Sequence, residues 1–278
     1  MARTILTMST LLVTRGDDFG SMPEANRAIV DCFRQGVLRN ASIMAPGNAF
    51  AEAAELSRGC PDLCVGLHVA MTAEWAECRF GPVCDPAEVP TLVDDDGLFL
   101  ASPMALFMRG VSVDELMREA RAQLAKARKA GVEIRYLDEH MGVSWLHPLP
   151  EGPRFVDGLR ALAREEGLIW FNDAHETERA YHTLIESPWS VDGAIAALDR
   201  LDHSPALFMT HPVYNEGYMA RSRLRDHPDG VPGAEGIARQ VDTDILTSPR
   251  FARACAERDV RCVSYVEAAA ARRATATR

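Results

Sequence analysis

TLLVTRGDDFG, residues 10–20, runs an apolar stretch ending at Arg15 directly into two adjacent carboxylates, Asp17 and Asp18. Such a run reads as a buried strand that delivers polar side chains at its C-terminal end. The same arrangement recurs outward from it. Runs at 41–45 (ASIMA), 64–70 (CVGLHVA), 132–137 (VEIRYL), 168–172 (LIWFN), 206–210 (ALFMT) and 260–264 (VRCVS) bring the candidate strands to seven. Helical patterns separate most of them. Residues 23–35 open near Pro23, put Ile29, Cys32 and Phe33 on one face and stop before Gly36. Residues 113–130 follow Ser112-Val-Asp-Glu115, a capping box, and close at Gly131. Further helices fit 48–58, 153–166, 190–200 and 249–258. Apolar strands alternating with helices predict one α/β domain over residues 1–278 with a parallel sheet. A closed barrel and an open doubly wound sheet both fit this alternation. No GxGxxG or GxxxxGK[ST] follows a strand, which weighs against a nucleotide-binding sheet. Three connections, 72–111, 173–189 and 212–236, have the length of loops that cover or line a site.

The polar residues concentrate the functional signal. Asp17 and Asp18 follow the first strand, His68 lies near the end of the third, Asp138 and His140 follow the fourth, and His211 follows the sixth. In a barrel, C-terminal strand ends share one face, where catalytic residues gather, so this placement favours the barrel. Each residue taken alone also has an ordinary reading: DDFG as a turn, His68 as a hydrogen-bonded core residue, Asp138 and His140 as loop residues, and His211 as a strand terminus. Their shared placement argues for function, because a carboxylate with two imidazoles is a ligand set for a catalytic divalent ion. The other histidines match no HExxH spacing, and Asp94-Asp95-Asp96-Gly97 reads as a tight turn because it lacks the alternating ligands of a calcium loop. Trp75 and Trp145 fall just beyond the strand ends bearing His68 and His140, where an aromatic face could stack on a sugar ring or simply pack.

Composition narrows the class further. The 278 residues carry 40 acidic and 30 basic side chains, a net charge of −10. With no basic stripe to neutralise phosphates, nucleic acid is not an expected partner. ILTMSTLLV at 5–13 is short and runs into the first strand, so it reads as core rather than as a leader. No apolar segment approaches the roughly 20 residues that span a bilayer. Seven cysteines without a repeated CxxC read as reduced thiols, and the expected compartment is cytoplasmic. Self-association as a homo-oligomer stays open.

DDFG at 17–20, NASIMAPGNAF at 40–50, VGLHV at 65–69, LDEHMG at 137–142, MTHP at 209–212 and LTSPRFARACAERDVRCVSY at 246–265 together resemble the YdjC/ChbG-like carbohydrate deacetylases, the family that includes chitooligosaccharide deacetylase. The resemblance spans nearly the whole chain. It implies an irregular (β/α) barrel, seven-stranded here, related to the polysaccharide deacetylase barrel. It further implies one divalent metal ion held by Asp18, His68 and His140, with Asp17 as the base that activates water and His211 as the candidate general acid. The chain departs from the family pattern in three places. Arg15-Gly16 stands where many members have Asn-Ala, Tyr136 and Gly142 occupy places often held by histidine, and Val213 replaces a glycine.

These implications define an expected reaction. A divalent ion lowers the pKa of water from about 16 towards 7 and polarises a carbonyl, the two things amide hydrolysis needs. Zinc suits a two-histidine, one-aspartate set best, with magnesium, manganese and cobalt as alternatives. The expected substrate is a small N-acetylated sugar or oligosaccharide, and the expected enzyme a hydrolase that removes its acetyl group. Two other readings remain: a metal-dependent hydrolase of a different amide or ester, and a sugar-binding or regulatory protein without turnover.

Overall fold

The computed structural model describes residues 9–145, 151–174 and 190–276. Seven parallel strands form one curled sheet: β1 (Thr10–Phe19), β2 (Asn40–Ile43), β3 (Cys64–Val69), β4 (Ile134–Glu139), β5 (Ile169–Trp170), β6 (Ala206–Thr210) and β7 (Val260–Val263). Their hydrogen-bonded order is β5-β4-β3-β2-β1-β6, with β7 also on β1. The result is a half-barrel. Among the described residues no ladder joins β5 to β6, so the curl does not close on itself.

β1 is the axis of the sheet because its sequence leaves no face for water: Leu12 and Val13 are fully buried, and Thr14 with them. Its pairing is unusual. β6 runs along one edge from Leu12 to Gly16. The opposite edge is shared, with β7 paired to Thr10–Val13 and β2 paired from Arg15 onward. Asn40 sits in the fork. Its amide donates to the carbonyls of Thr14 (2.9 Å) and Val263 (3.0 Å), and its carbonyl accepts from the Tyr265 amide (2.8 Å). A buried side-chain amide with every role filled can splice three strands that could not all pair through their backbones.

Helices cover the outer face. α1 (Pro23–Gln35) buries Ala25, Ala28, Ile29 and Cys32, one face of a helix that begins on proline as expected. α2 (Phe50–Arg58), α3 (Pro103–Arg109), α4 (Val113–Lys129), α5 (Glu151–Glu165), α6 (Val191–Leu198), α7 (Ala234–Thr247), α8 (Pro249–Glu257) and α9 (Tyr265–Ala276) follow. Ser112 caps α4 through the Glu115 amide, but Glu115 turns away to accept from the amide and hydroxyl of Thr91, so the expected capping box is only half made. Three helices, α3, α7 and α9, arise where none is expected, and α7 begins inside the segment read as a loop over 212–236. No described helix is long and apolar enough to cross a membrane. All seven cysteines are free thiols.

One glycine shows how tightly the strands are fitted. A β-carbon on Gly66 would lie 2.2 Å from the Tyr136 ring, so the GLH glycine makes room for the aromatic side chain that β4 turns inward. Tyr136 then accepts or donates a hydrogen bond with Ser42 at 2.9 Å and packs 4.3 Å, ring centre to ring centre, from Tyr265.

Candidate metal centre

The site stands at the C-terminal ends of β1, β3, β4 and β6. Regular extended backbone would send Asp17 and Asp18 to opposite faces. The register between β1 and β2 breaks between Gly16 and Phe19, and Asp18 adopts a left-handed conformation with φ 67°. That irregularity turns both carboxylates into the same cluster. The Ser21 amide and hydroxyl hold the Asp18 carbonyl at 3.0 and 2.7 Å, fixing the distorted backbone.

Asp18, His68 and His140 converge. Asp18 Oδ1 is 3.2 Å from His140 Nδ1 and 3.6 Å from His68 Nε2, and those two nitrogens are 3.3 Å apart. Ligands bound at about 2.1 Å in tetrahedral geometry stand roughly 3.4 Å from one another. The triangle therefore fits a common cation. Asp18 Oδ1 is buried and faces only the two imidazole nitrogens, a costly place for a carboxylate oxygen unless a proton on His140 or a cation completes it. A second grouping of potential ligands, Asp17, His68 and Asp138, fits less well. There His68 would offer Nδ1, which is already bonded to Asp138 at 2.9 Å, and the Arg15 guanidinium already bridges the two carboxylates.

Behind each imidazole stands a carboxylate. Asp138 fixes His68 through Nδ1, leaving Nε2 towards the site; Glu74 fixes His140 through Nε2 at 2.9 Å, leaving Nδ1 towards it. Partners of this kind set the tautomer and orientation of metal-binding histidines. The second oxygen of Asp18 is bonded by Arg239, whose guanidinium lies 5.0 Å from the centre of the Trp75 ring. Burial would raise the Asp18 pKa, but Arg239 and His140 outweigh it and hold the carboxyl well below its usual range. Burial would lower the pKa of His140, yet Glu74 and Asp18 push it up to about 10. His68 is likewise raised, with Asp138 and Asp17 overcoming desolvation.

These shifts give a pH prediction with a definite sign. With its pKa raised to about 10, His140 of the metal-free protein should carry at pH 7 a proton that a cation must displace, so binding should release about one proton. Calorimetric titration with zinc in two buffers of different ionisation enthalpy measures it; identical heats would mean His140 is already neutral. In the metal-free protein, stability linked to protonated His140 is complete below its ordinary pKa of 6.5 and is lost as pH rises through about 10.

Asp17 and His211 flank the triangle. Arg15, only 2% exposed, holds both Asp17 oxygens, at 2.7 and 2.8 Å, and reaches Asp138 at 2.9 Å and the Tyr265 hydroxyl at 3.1 Å. Asp17 and His211 line the same cleft of about 210 Å³ as His68, His140 and Arg239. His211 is anchored through its backbone amide on Asp242 (2.8 Å). Burial, reinforced by Arg239, lowers the His211 pKa to about 4, so its resting form is neutral.

Of the two tryptophans for which sugar stacking and packing were both open, Trp75 is 2% exposed. Its backbone bridges to Leu224, zipping the two long loops together and drawing the ring into a cluster with Met22, Ala25 and Val213, so it offers no face to the cleft. The side chain of Trp145 lies outside the described residues, as do His147, His175 and His182. Sequence reasoning missed Glu74 and Arg239 and gave Asp138 no task. None of the three carries a local signal; each gains its role from a partner at least 66 residues away.

A family model described as YdjC-like protein matches residues 11–257. The chain is 26% identical over 267 residues to a carbohydrate deacetylase of Brevibacillus brevis, covering 92% of this chain and 98% of that one. It is 26% identical over 270 residues to a chitooligosaccharide deacetylase of Serratia marcescens, covering 90% and 96%. A crystal structure from Enterococcus faecalis V583, whose given name proposes cleavage of cellobiose phosphate, superposes with a TM-score of 0.75 at 22% identity over 93% of this chain and 98% of that one, which establishes a shared fold.

Proposed function

This chain belongs to the YdjC-like family, and from that membership we propose that it is a metal-dependent hydrolase that removes the acetyl group from an N-acetylated sugar or oligosaccharide. The observation that carries the reading is the triangle of Asp18 Oδ1, His68 Nε2 and His140 Nδ1 beside the ionic Asp17–Arg15 pair. The named activities of the Brevibacillus and Serratia relatives supply the substrate class. The whole chain acts as one domain.

A divalent ion on Asp18, His68 and His140 supplies Lewis acidity to water and to the acyl carbonyl. Two imidazoles and one carboxylate suit zinc, with magnesium, manganese and cobalt as alternatives. Asp17 takes the proton of the attacking water. Arg15 aims that carboxylate by holding both its oxygens. His211, across the cleft, delivers a proton to the departing amine. Because its resting form is neutral, it must first take up the proton that Asp17 draws from the water, and Asp17 and Asp18 both favour the charged form.

Elemental analysis should find about one divalent ion per chain, and a panel of N-acetylated amino sugars should release acetate. His211→Ala should keep the ion and lose about 10²–10⁴-fold in turnover, the usual worth of a positioned acid. A folded, metal-loaded enzyme that ignores the panel but cleaves a different amide or an ester would replace the substrate class. Turnover of nothing at all would favour a binding protein.

A further inference from the structure

His140 is followed by two residues in left-handed backbone conformation, Met141 (φ 58°, ψ 6°) and Gly142 (φ 57°, ψ 54°). Glycine enters this region freely, whereas a residue with a β-carbon crowds its own carbonyl there. A turn needing only that geometry would be served better by glycine or asparagine at position 141. Nor does core packing account for methionine, since Met141 is 45% exposed. It nevertheless lines the cleft with His68, His140 and His211, and among the exposed large apolar side chains of the described residues it is the one that does so. Phe171 and Met209 line the same cleft. Strain kept at a cleft rim without a packing return points to a ligand contact.

We propose that Met141 is a specificity-determining residue that grips the apolar face of the sugar ring where it protrudes from the metal centre. The nature of that ligand rests on the deacetylase reading above. His140 is 3% exposed and faces the ion site, so its neighbour at the rim meets the part of the substrate outside the reacting amide. An unbranched thioether is polarisable and adapts its shape, which suits the C–H face of a pyranose. Trp75, the aromatic nearest in sequence to His68 beyond β3, is buried and leaves that task open.

Two substitutions separate contact from scaffold. Met141→Gly relieves the backbone and should hold or raise Tm, by about 1–3 °C, with metal content unchanged. Its KM for an N-acetylated disaccharide should rise about five- to tenfold while kcat stays within about twofold, as for a lost apolar contact. Met141→Leu keeps an apolar side chain in the same strained backbone and should leave KM within about threefold. Binding of the N-acetylglucosamine disaccharide to metal-free protein, followed by calorimetry, should weaken in parallel in the glycine variant. Unchanged KM and unchanged binding in Met141→Gly would overturn the proposal, and so would loss of the ion or a fall in Tm, which would make the residue structural. A wild type that binds the disaccharide but releases no acetate would defeat the deacetylase reading and leave Met141 to be judged on binding alone. A wild type that does not bind it would overturn the Met141 proposal.

Discussion

Asp17→Asn should keep the ion and lose about 10²-fold or more in turnover, the range for a lost general base, whereas Asp18→Asn should lose the ion itself. The two residues are neighbours of one chemical type, and only the backbone break at Asp18 gives them different tasks. Asp18 presents a buried oxygen to His68 and His140, and an amide there cannot supply its charge. Asp17 has its oxygens held by Arg15 instead, and its replacement removes basicity while keeping shape. Added metal should partly rescue Asp18→Asn and do nothing for Asp17→Asn. Metal content and acetate release on the two folded variants decide it. If Asp17→Asn strips the ion and Asp18→Asn keeps it, the assignment is reversed; full activity in both would reduce DDFG to a turn.

Arg15→Met should cost about 3–5 kcal/mol of stability, the range for breaking a buried ion pair from one side. Removing this guanidinium leaves Asp17 and Asp138 facing each other in a site where both are nearly inaccessible. Burial raises the Asp138 pKa, while Arg15 and His68 outweigh that and keep it low, so its contribution is present above the ordinary carboxylate range and fades as pH falls. The variant should therefore show a weaker loss of stability on acidification than wild type. Denaturant midpoints from pH 3 to pH 7 test both statements. A loss below about 1 kcal/mol would mean that water or a shifted side chain replaces the cation.

The strands were legible because each is a short apolar run with turn residues at its ends, and all seven appear within a few residues of their expected bounds. The side chains that converge on the site were legible for a related reason, while the choice of Asp18, His68 and His140 among them as proposed ligands came from the family resemblance. Polar residues at C-terminal strand ends are conspicuous against apolar runs, and parallel strands bring those ends together. Less of the surrounding shell could be read. Glu74 sits in a loop and meets His140 only because Arg225 and Leu224 pin that loop from the far side. Arg239 lies on α7, whose polar RQVDTD stretch shows weak periodicity and whose start after Gly233 resembles a continuing loop. α3 did carry signals, a Ser102 cap and Pro103, but they were submerged in a long polar connection. Trp75 shows the limit of position alone: a place near a strand end left sugar stacking and packing both open, and the ring packs between two loops.

The fork at Asn40 makes the C-terminal end of the first strand depend on residues some 220 positions later in the chain. Residues 10–13 find their neighbour in β7 some 250 residues later, and the Tyr265 amide that completes Asn40 belongs to a residue whose hydroxyl supports Arg15. Contacts of such long sequence separation form late, because chain closure must precede their gain. A nascent chain stopped after α8 would have all three proposed metal ligands and His211 but neither β7 nor Tyr265, so Arg15 would have lost one support and β1 one partner. Competence of the proposed site would thus wait on β7 and Tyr265, and removal of residues from 260 onward should strike the centre of the molecule before its periphery.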